Sequence, residues 1–277
     1  MPPVPGRLRG RVAVVSGGGN GIGTGICERL ASEGAVVWVL DIDERAANLV
    51  ASGITGKGFE AQAAVVSVLL AAKACRGCNQ VDTSDEEQVQ HFFQALPHLD
   101  ILCSNAALYV FNEAENITED DWDRVLSVNV KGYSFMLKHA ARLMKQNGGN
   151  DHGHPGGAII NVASISGWIG QPGFGPYSAS KGAVLQLSKC AAIDLGKYGI
   201  RVNTVCPGPI LTEGTKRHAA GSGQTVEELI AEMTCHMIMH RLGKVEEVAA
   251  AVSFLASDDA AFITASNLVV DGGYTAL

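Results

Sequence analysis

Residues 11–23 read RVAVVSGGGNGIG, an apolar run that passes directly into a glycine-rich turn. The run predicts a short buried strand, and Ile22, Ile26 and Leu30 have the spacing of a helix that buries one face. Glycines between a strand and a helix let the backbone turn sharply, and the N–H groups at the helix start can then bind an anion. The segment therefore predicts a strand–turn–helix unit that can hold a phosphate group.

The rest of the chain continues this alternation of apolar runs and helical patterns. Further strands are predicted at 35–40, 61–66, 99–103, 158–162, 200–205 and 267–270, and further helices at 85–96, 118–145, 177–197 and 245–256. Strands this apolar must be covered on both faces, which favours a parallel sheet between two helical layers. The expected fold class is α/β, a Rossmann-like, doubly wound parallel sheet in three layers, as a single domain over residues 1–277.

Two segments interrupt the alternation. Residues 67–80 lengthen the connection after the third strand and are interpreted as an inserted loop or short helix. Residues 212–242 contain several methionines, whose flexible side chains suit a lid over a substrate pocket. An ordinary helix packed on the core is an equally good interpretation of that second segment.

Composition excludes several classes of protein. The 277 residues carry a formal net charge of −7 and show no basic stripe, which argues against binding nucleic acid. No apolar run approaches the ~20 residues that a membrane span needs, and no secretory signal is evident at the N-terminus. Seven scattered cysteines suit a reducing compartment. We expect a cytoplasmic protein without a membrane partner.

The end of the second predicted strand carries an acidic residue that indicates the cofactor. Asp41 lies 18 residues after Gly23. A carboxylate at this point can accept hydrogen bonds from the ribose hydroxyls of a dinucleotide, and it repels a 2′-phosphate. Because the glycine turn has no Lys or Arg to attract that phosphate, NAD is predicted rather than NADP.

A phenol and an ammonium are predicted to share one helix face. Tyr177 and Lys181 are four residues apart, and the ammonium is expected to lower the pKa of the phenol towards working pH. Tyr177 could then exchange protons with an alcohol or a carbonyl. Ser164, just past a predicted strand, could hydrogen-bond the same substrate oxygen.

These motifs, in this order, resemble the short-chain dehydrogenase/reductase family over 10–274. The motifs are SGGGNGIG at 16–23, SNAA at 104–107, SVNV at 127–130, NVAS at 161–164, YSASK at 177–181, PGPILT at 207–212 and VVDGG at 269–273. Ala107 departs from the family pattern, which has glycine there. The resemblance implies an NAD-dependent oxidoreductase that acts on a secondary alcohol or ketone.

The resemblance also implies a role for each matching residue. Asn129, Ser164, Tyr177 and Lys181 would be catalytic, with Asn129 supporting a proton-relaying water and Lys181 also holding the nicotinamide ribose. The implied cofactor contacts are Gly17, Asn20, Gly21, Ile22, Gly23, Asp41, Asp82, Thr83, Asn105, Ala106, Tyr177, Lys181, Pro207, Ile210 and Thr212. A homotetramer built through the helices at 118–145 and 177–197 is implied as well.

Other readings stay open at this point. An NADP-dependent carbonyl or 3-oxoacyl reductase would share the chemistry, and a cofactor-sensing binding protein would bind NAD with incidental turnover. Cys75 and Cys78 form a lone CxxC without a second ligand pair, and His236 and His240 share a helical face in the predicted lid. Neither pair predicts a metal site.

Overall fold

The computed structural model of the chain describes residues 2–63, 81–146, 156–215, 219, 223 and 225–276. The predicted insertion at 67–80, with Cys75 and Cys78, lies outside these residues. The last three positions of the predicted third strand, 64–66, also lie outside them.

Seven strands in the described part of the chain form one parallel sheet. The strands are β1 (Val12–Ser16), β2 (Val36–Leu40), β3 (Ala61–Ala63), β4 (Ile101–Ser104), β5 (Gly157–Val162), β6 (Ile200–Pro207) and β7 (Asn267–Val270). Their spatial order is β3-β2-β1-β4-β5-β6-β7, so the winding direction reverses between β1 and β4. The predicted doubly wound sheet is confirmed, and its switch point is the expected position of a ligand crevice.

The helices cover both faces of this sheet. They are α1 (Gly21–Ser32), α2 (Glu44–Gly56), α3 (Glu86–Ala95), α4 (Glu119–Leu126), α5 (Tyr133–Gln146), α6 (Gly175–Gly196), α7 (Val226–Thr234) and α8 (Val245–Ala256). One core lies between α1, α2, α8 and the strand residues Val15 and Cys103. The other lies between α3, α5, α6 and the alternate residues Val14 and Leu102. The three layers are therefore confirmed. None of the described helices is long and apolar enough to cross a bilayer.

Helix α2 was missing from the sequence prediction, and α7 lies in the segment 212–242, for which a helix was one of two interpretations. Helix α2 begins at Asp43, whose carboxylate accepts a hydrogen bond from Ala46 N at 3.1 Å. Helix α7 begins with a capping box between Thr225 and Glu228. The capping box at Thr225 is readable in the sequence, because Thr followed three residues later by Glu is a helix-start pattern. Helix α2 buries Ala47, Val50, Ala51 and Ile54, so its amphipathic spacing was available in the sequence as well.

The single helix predicted at 118–145 is in fact three segments. Between α4 and α5 lies a π-helical stretch, Ser127–Gly132. A π-turn widens the helix by one residue, and such turns are frequent at functional sites. Here the wide turn buries the side chain of Asn129. The sequence prediction treated 118–145 as one continuous period, whereas one extra residue shifts the helical pattern by one position, or about 100°.

Candidate active site

A cavity of about 710 Å³ opens where the carboxyl ends of the strands meet. Its walls come from the turn after β1, the ends of β2, β4, β5 and β6, and the first two turns of α6. Every site residue predicted from the sequence lines this cavity except Gly23 and Asn129. The fold therefore brings together residues that are up to 195 positions apart between Gly17 and Thr212.

The glycine turn is shaped to let a ligand approach the backbone. Gly17 has φ +64°, and a Cβ on Gly23 would lie 1.9 Å from Gly17 O, so neither position tolerates a side chain. This close packing explains why Gly23 supports the cavity without lining it. The N-cap residue Asn20 makes no side-chain cap, which leaves the first N–H groups of α1 for an anion. The turn fits the diphosphate of a dinucleotide.

Ser16, which the sequence prediction did not single out, ties this turn to β4. Its Oγ accepts hydrogen bonds from Asn105 N at 3.1 Å and Ala106 N at 3.3 Å. The amide of Asn105 donates to Gly17 O at 2.9 Å. Asn105 was predicted to be a cofactor contact. It does line the cavity, but its side-chain amide is used to brace the glycine turn.

The end of the cavity beside β2 is acidic. Asp41 Oδ2 accepts a hydrogen bond from Gly19 N at 2.9 Å, which holds the carboxylate over the turn. Asp82 Oδ1 accepts from Ser84 N at 2.8 Å and from Ser84 Oγ at 2.7 Å. Within the described lining, Lys181 is the single lysine or arginine. This end of the cavity therefore suits hydroxyl and amino donors better than a phosphate.

Lys181 is almost completely buried, at 1% exposure. Its Nζ donates to Val162 O at 2.8 Å and to Tyr133 Oη at 3.2 Å, and Tyr133 in turn donates to Val162 O at 2.9 Å. Burial lowers the pKa of Lys181 to about 7. Sequence reasoning missed Tyr133, although its position four residues after Asn129 was the available signal.

Tyr177 does not have the lowered pKa that its spacing from Lys181 predicted. Burial raises the pKa of this phenol to about 12, and the lowering influence is a hydrogen bond with Ser164. The reason is geometric, because Lys181 Nζ is directed to Val162 O and lies 5.6 Å from the centre of the Tyr177 ring. The partly neutral Lys181 also supplies less positive charge than an ordinary lysine.

Ser164 begins a short chain of hydrogen bonds along the cavity wall. Its Oγ donates to Ser166 Oγ at 3.1 Å, and Ser166 Oγ donates to Gln171 Oε1 at 2.5 Å. Ser166 N also donates to Ser164 Oγ at 3.1 Å. All three residues line the cavity, and the last two were not predicted. The chain fixes the orientation of the Ser164 hydroxyl beside Tyr177.

Asn129 is buried behind the cavity wall, and its side chain is held by the protein. Its Oδ1 accepts from Leu108 N at 2.7 Å, and its Nδ2 donates to Leu108 O at 2.7 Å and to Ser180 Oγ at 2.9 Å. These contacts join the π-turn to the loop after β4 and to α6. The relay role expected for Asn129 stays a prediction, whereas its bracing contacts are visible.

Aromatic and apolar side chains form the wall opposite the glycine turn. The rings of Tyr109 and Phe174 meet the Tyr177 ring edge-on, with centroids 6.2 and 5.6 Å from it. Met233 of the predicted lid lines the cavity, while Met237 is buried at 1% exposure. The lid interpretation of this segment stays a prediction, and the burial of Met237 shows that part of the segment packs against the rest of the protein.

Comparisons with known proteins agree with this geometry. A family model described as enoyl-(acyl carrier protein) reductase matches residues 17–275. An uncharacterized oxidoreductase of Thermotoga maritima is 37% identical over 270 residues, covering 98% of this chain and 99% of that protein. The (3R)-3-hydroxyacyl-CoA dehydrogenase of Homo sapiens is 37% identical over 273 residues, covering 96% of each.

A solved structure gives the same result for the fold. A short-chain type dehydrogenase/reductase from Mycobacterium marinum superposes with a TM-score of 0.83 at 29% identity, covering 98% of this chain and 97% of that one. The sheet order and the gathering of Ser164, Tyr177 and Lys181 at one cavity are thus accompanied by sequence likeness along nearly the whole chain. The chain belongs to the short-chain dehydrogenase/reductase family.

Proposed function

We propose that the protein is an NAD-dependent oxidoreductase that interconverts a secondary alcohol and a ketone. The observation that carries the proposal is the meeting of Ser164, Tyr177 and Lys181 in a cavity whose other end has a glycine turn and Asp41. A dinucleotide site and a proton-transfer site in one cavity are what hydride transfer requires.

The residues present fit NAD. The turn from Gly17 to Gly23 would hold the diphosphate, Asp41 the adenosine ribose, and Lys181 the nicotinamide ribose. Pro207, Ile210 and Thr212, with Asp82, Thr83 and Ala106, would complete the contacts along the cavity. When bound, NAD supplies the acceptor for a hydride from the carbinol carbon.

The protein's own side chains would move the proton. In alcohol oxidation, Tyr177 Oη takes the hydroxyl proton while Ser164 Oγ holds the same oxygen; in ketone reduction, Tyr177 returns it. Because Tyr177 must be ionised for oxidation and protonated for reduction, oxidation is favoured as pH rises and reduction as pH falls. The Lys181 ammonium, when protonated, stabilises the phenolate.

NADP is the second candidate for the cofactor. Its 2′-phosphate would approach the Asp41 carboxylate, and no lysine or arginine lines that end of the cavity in the described ranges. A 3-oxoacyl reductase remains a related reading, supported by the name of the human relative, (3R)-3-hydroxyacyl-CoA dehydrogenase. A binding protein without turnover is disfavoured because Ser164, Tyr177 and Lys181 are all in place.

The test is Tyr177→Phe, which removes the phenolic hydroxyl and keeps the ring. Turnover of NAD with a panel of secondary alcohols should fall by about 100- to 10,000-fold, the usual contribution of a general acid–base group. The dissociation constant of NAD, measured by calorimetry, should stay within about twofold. Tyr198→Phe, at the far end of α6, is the matched control. Wild-type rates in the Tyr177 variant would remove this residue from the chemistry.

A further inference from the structure

Resting on the proposed function, we propose that Gln171 determines substrate specificity. Its amide N–H group donates to a second, uncharged oxygen of the substrate, one or two carbons from the carbon that reacts. The substrate class is therefore a secondary alcohol, or its ketone, with a neighbouring ether, hydroxyl or carbonyl oxygen and an otherwise apolar body.

The hydrogen-bond chain leaves this amide group available. Gln171 Oε1 is occupied by the Ser166 hydroxyl at 2.5 Å, so the orientation of the amide is fixed. Nε2 of Gln171 has no hydrogen-bond partner among the described residues, although Gln171 lines the cavity. An amide with one end held and the other end free is a positioned donor rather than a flexible surface group.

The contacts between Ser164 and Gln171 indicate how far apart the two oxygens of the substrate are. Ser164 Oγ lies 3.1 Å from Ser166 Oγ, which lies 2.5 Å from Gln171 Oε1. Two short contacts therefore separate the serine that holds the reacting oxygen from the amide of Gln171. An oxygen a few bonds from the carbinol carbon of a molecule bound through Ser164 is therefore within reach of this amide.

The surroundings of Gln171 select a neutral oxygen rather than an acidic group. Leu108, Tyr109, Phe174 and Met233, which are apolar or aromatic, line the same cavity. In the ranges described around the cavity, Lys181 is the single lysine or arginine, and it is turned to Val162 O and Tyr133. Without a cation at this end, a carboxylate would be desolvated without compensation.

Two isosteric alcohols test the inference. 1-Methoxy-2-propanol and 2-pentanol differ by one ether oxygen in place of a methylene group, and that oxygen can only accept a hydrogen bond. The measurement is the ratio of their kcat/KM values with NAD, in wild type and in Gln171→Glu. The glutamate keeps the acceptor for Ser166 but replaces the donor with a carboxylate oxygen, so the ratio should fall about tenfold or more.

A second variant and a binding measurement distinguish a specificity role from a loss of folding or of turnover. Gln171→Leu should lower the ratio in the same direction, and Gln94→Glu, exposed on α3, is the matched control. A binding measurement makes the same comparison with the corresponding ketones. Calorimetry gives the dissociation constants of methoxyacetone and 2-pentanone for NADH-loaded protein that carries Tyr177→Phe, and the ratio of these two constants is compared. Equal losses for both compounds, as expected of a merely structural residue, would overturn the inference.

The two proposals fail in different ways. If wild type oxidises both alcohols with a ratio that Gln171→Glu leaves unchanged, the specificity role is wrong and the proposed reaction stands. If wild type oxidises neither alcohol, the proposed reaction is contradicted, and the calorimetric ratio still decides the role of Gln171.

Discussion

Asp41 is the residue on which the proposed preference for NAD depends. Its carboxylate is held over the glycine turn by Gly19 N at 2.9 Å. A Cβ on Gly19 would lie 2.9 Å from the same carboxylate oxygen, so the turn has no room for a side chain that could bind a 2′-phosphate. Carboxylate and turn therefore act together in favouring a free ribose.

Replacing Asp41 with alanine tests this point. The dissociation constant of NAD should rise about tenfold to hundredfold, because hydrogen bonds to a charged group are lost. The preference for NAD over NADP should shrink, since the repulsion of the 2′-phosphate is removed. Calorimetric titration with both cofactors measures the change, and Glu44→Ala, exposed at the start of α2, is the control. An unchanged preference would place Asp41 outside the cofactor site.

At the scale of elements, Glu33 joins three parts of the chain beneath the sheet. It is fully buried at the end of α1, where Oε1 accepts from Arg29 Nε at 2.7 Å and Val4 N at 3.0 Å, and Oε2 accepts from Ser253 of α8. Burial alone would raise the pKa of Glu33, but the hydrogen bonds outweigh it and hold the pKa below its usual value. The glutamate is therefore ionised and structural.

Glu33→Gln should destabilise the protein by about 3–5 kcal/mol near neutral pH, because the buried Arg29 loses its carboxylate. A depressed pKa in the folded state gives stability that is complete above the unfolded pKa, about 4.3, and is lost as pH falls through the folded pKa. The difference from wild type should thus shrink on acidification. Urea unfolding at several pH values measures this difference in stability. Glu28→Gln is the control, because the exposed pair of Glu28 with Lys57 should contribute at most about 1 kcal/mol. A loss that does not change with pH would contradict this account.

At the scale of the whole molecule, α6 carries more apolar surface than one chain covers. Ile193 of this helix is 79% exposed. A large apolar side chain this exposed on a long helix is accounted for if the helix packs against another subunit. The homotetramer implied by family resemblance therefore stays our proposal, with α6 at one of its interfaces.

Light scattering tests this assembly. Wild type should have a mass of about four times the chain mass of 28.9 kDa, and Ile193→Glu should form smaller species because it places a charge in the interface. Leu49→Glu, on the 74% exposed Leu49 of α2, is the matched control and should keep the wild-type mass. A monomeric wild type would refute the proposal.

The sequence predicted the sheet and most of its helices because their signals are local. Strand β7 and helix α8 were predicted with the bounds that the structure has, since an apolar run or a 3.6-residue period is contained within each. It missed the π-turn at Ser127–Gly132, which is marked by one extra residue rather than by a period. It also missed α2, although the buried residues from Ala47 to Ile54 of that helix do have a helical period.

The motifs by themselves predicted most of the residues that gather at the cavity, because glycine turns, strand-end acids and a Tyr–Lys pair each follow from short-range rules. Only the tertiary structure decided how those residues behave. The pKa of Lys181 near 7 and the raised pKa of Tyr177 come from burial, and the side chain of Lys181 is held by Tyr133, which is distant in sequence. The orientation of the Gln171 amide comes from its contact with Ser166. Desolvation and hydrogen bonding depend on where neighbouring groups lie in space, and no spacing along the chain contains that information.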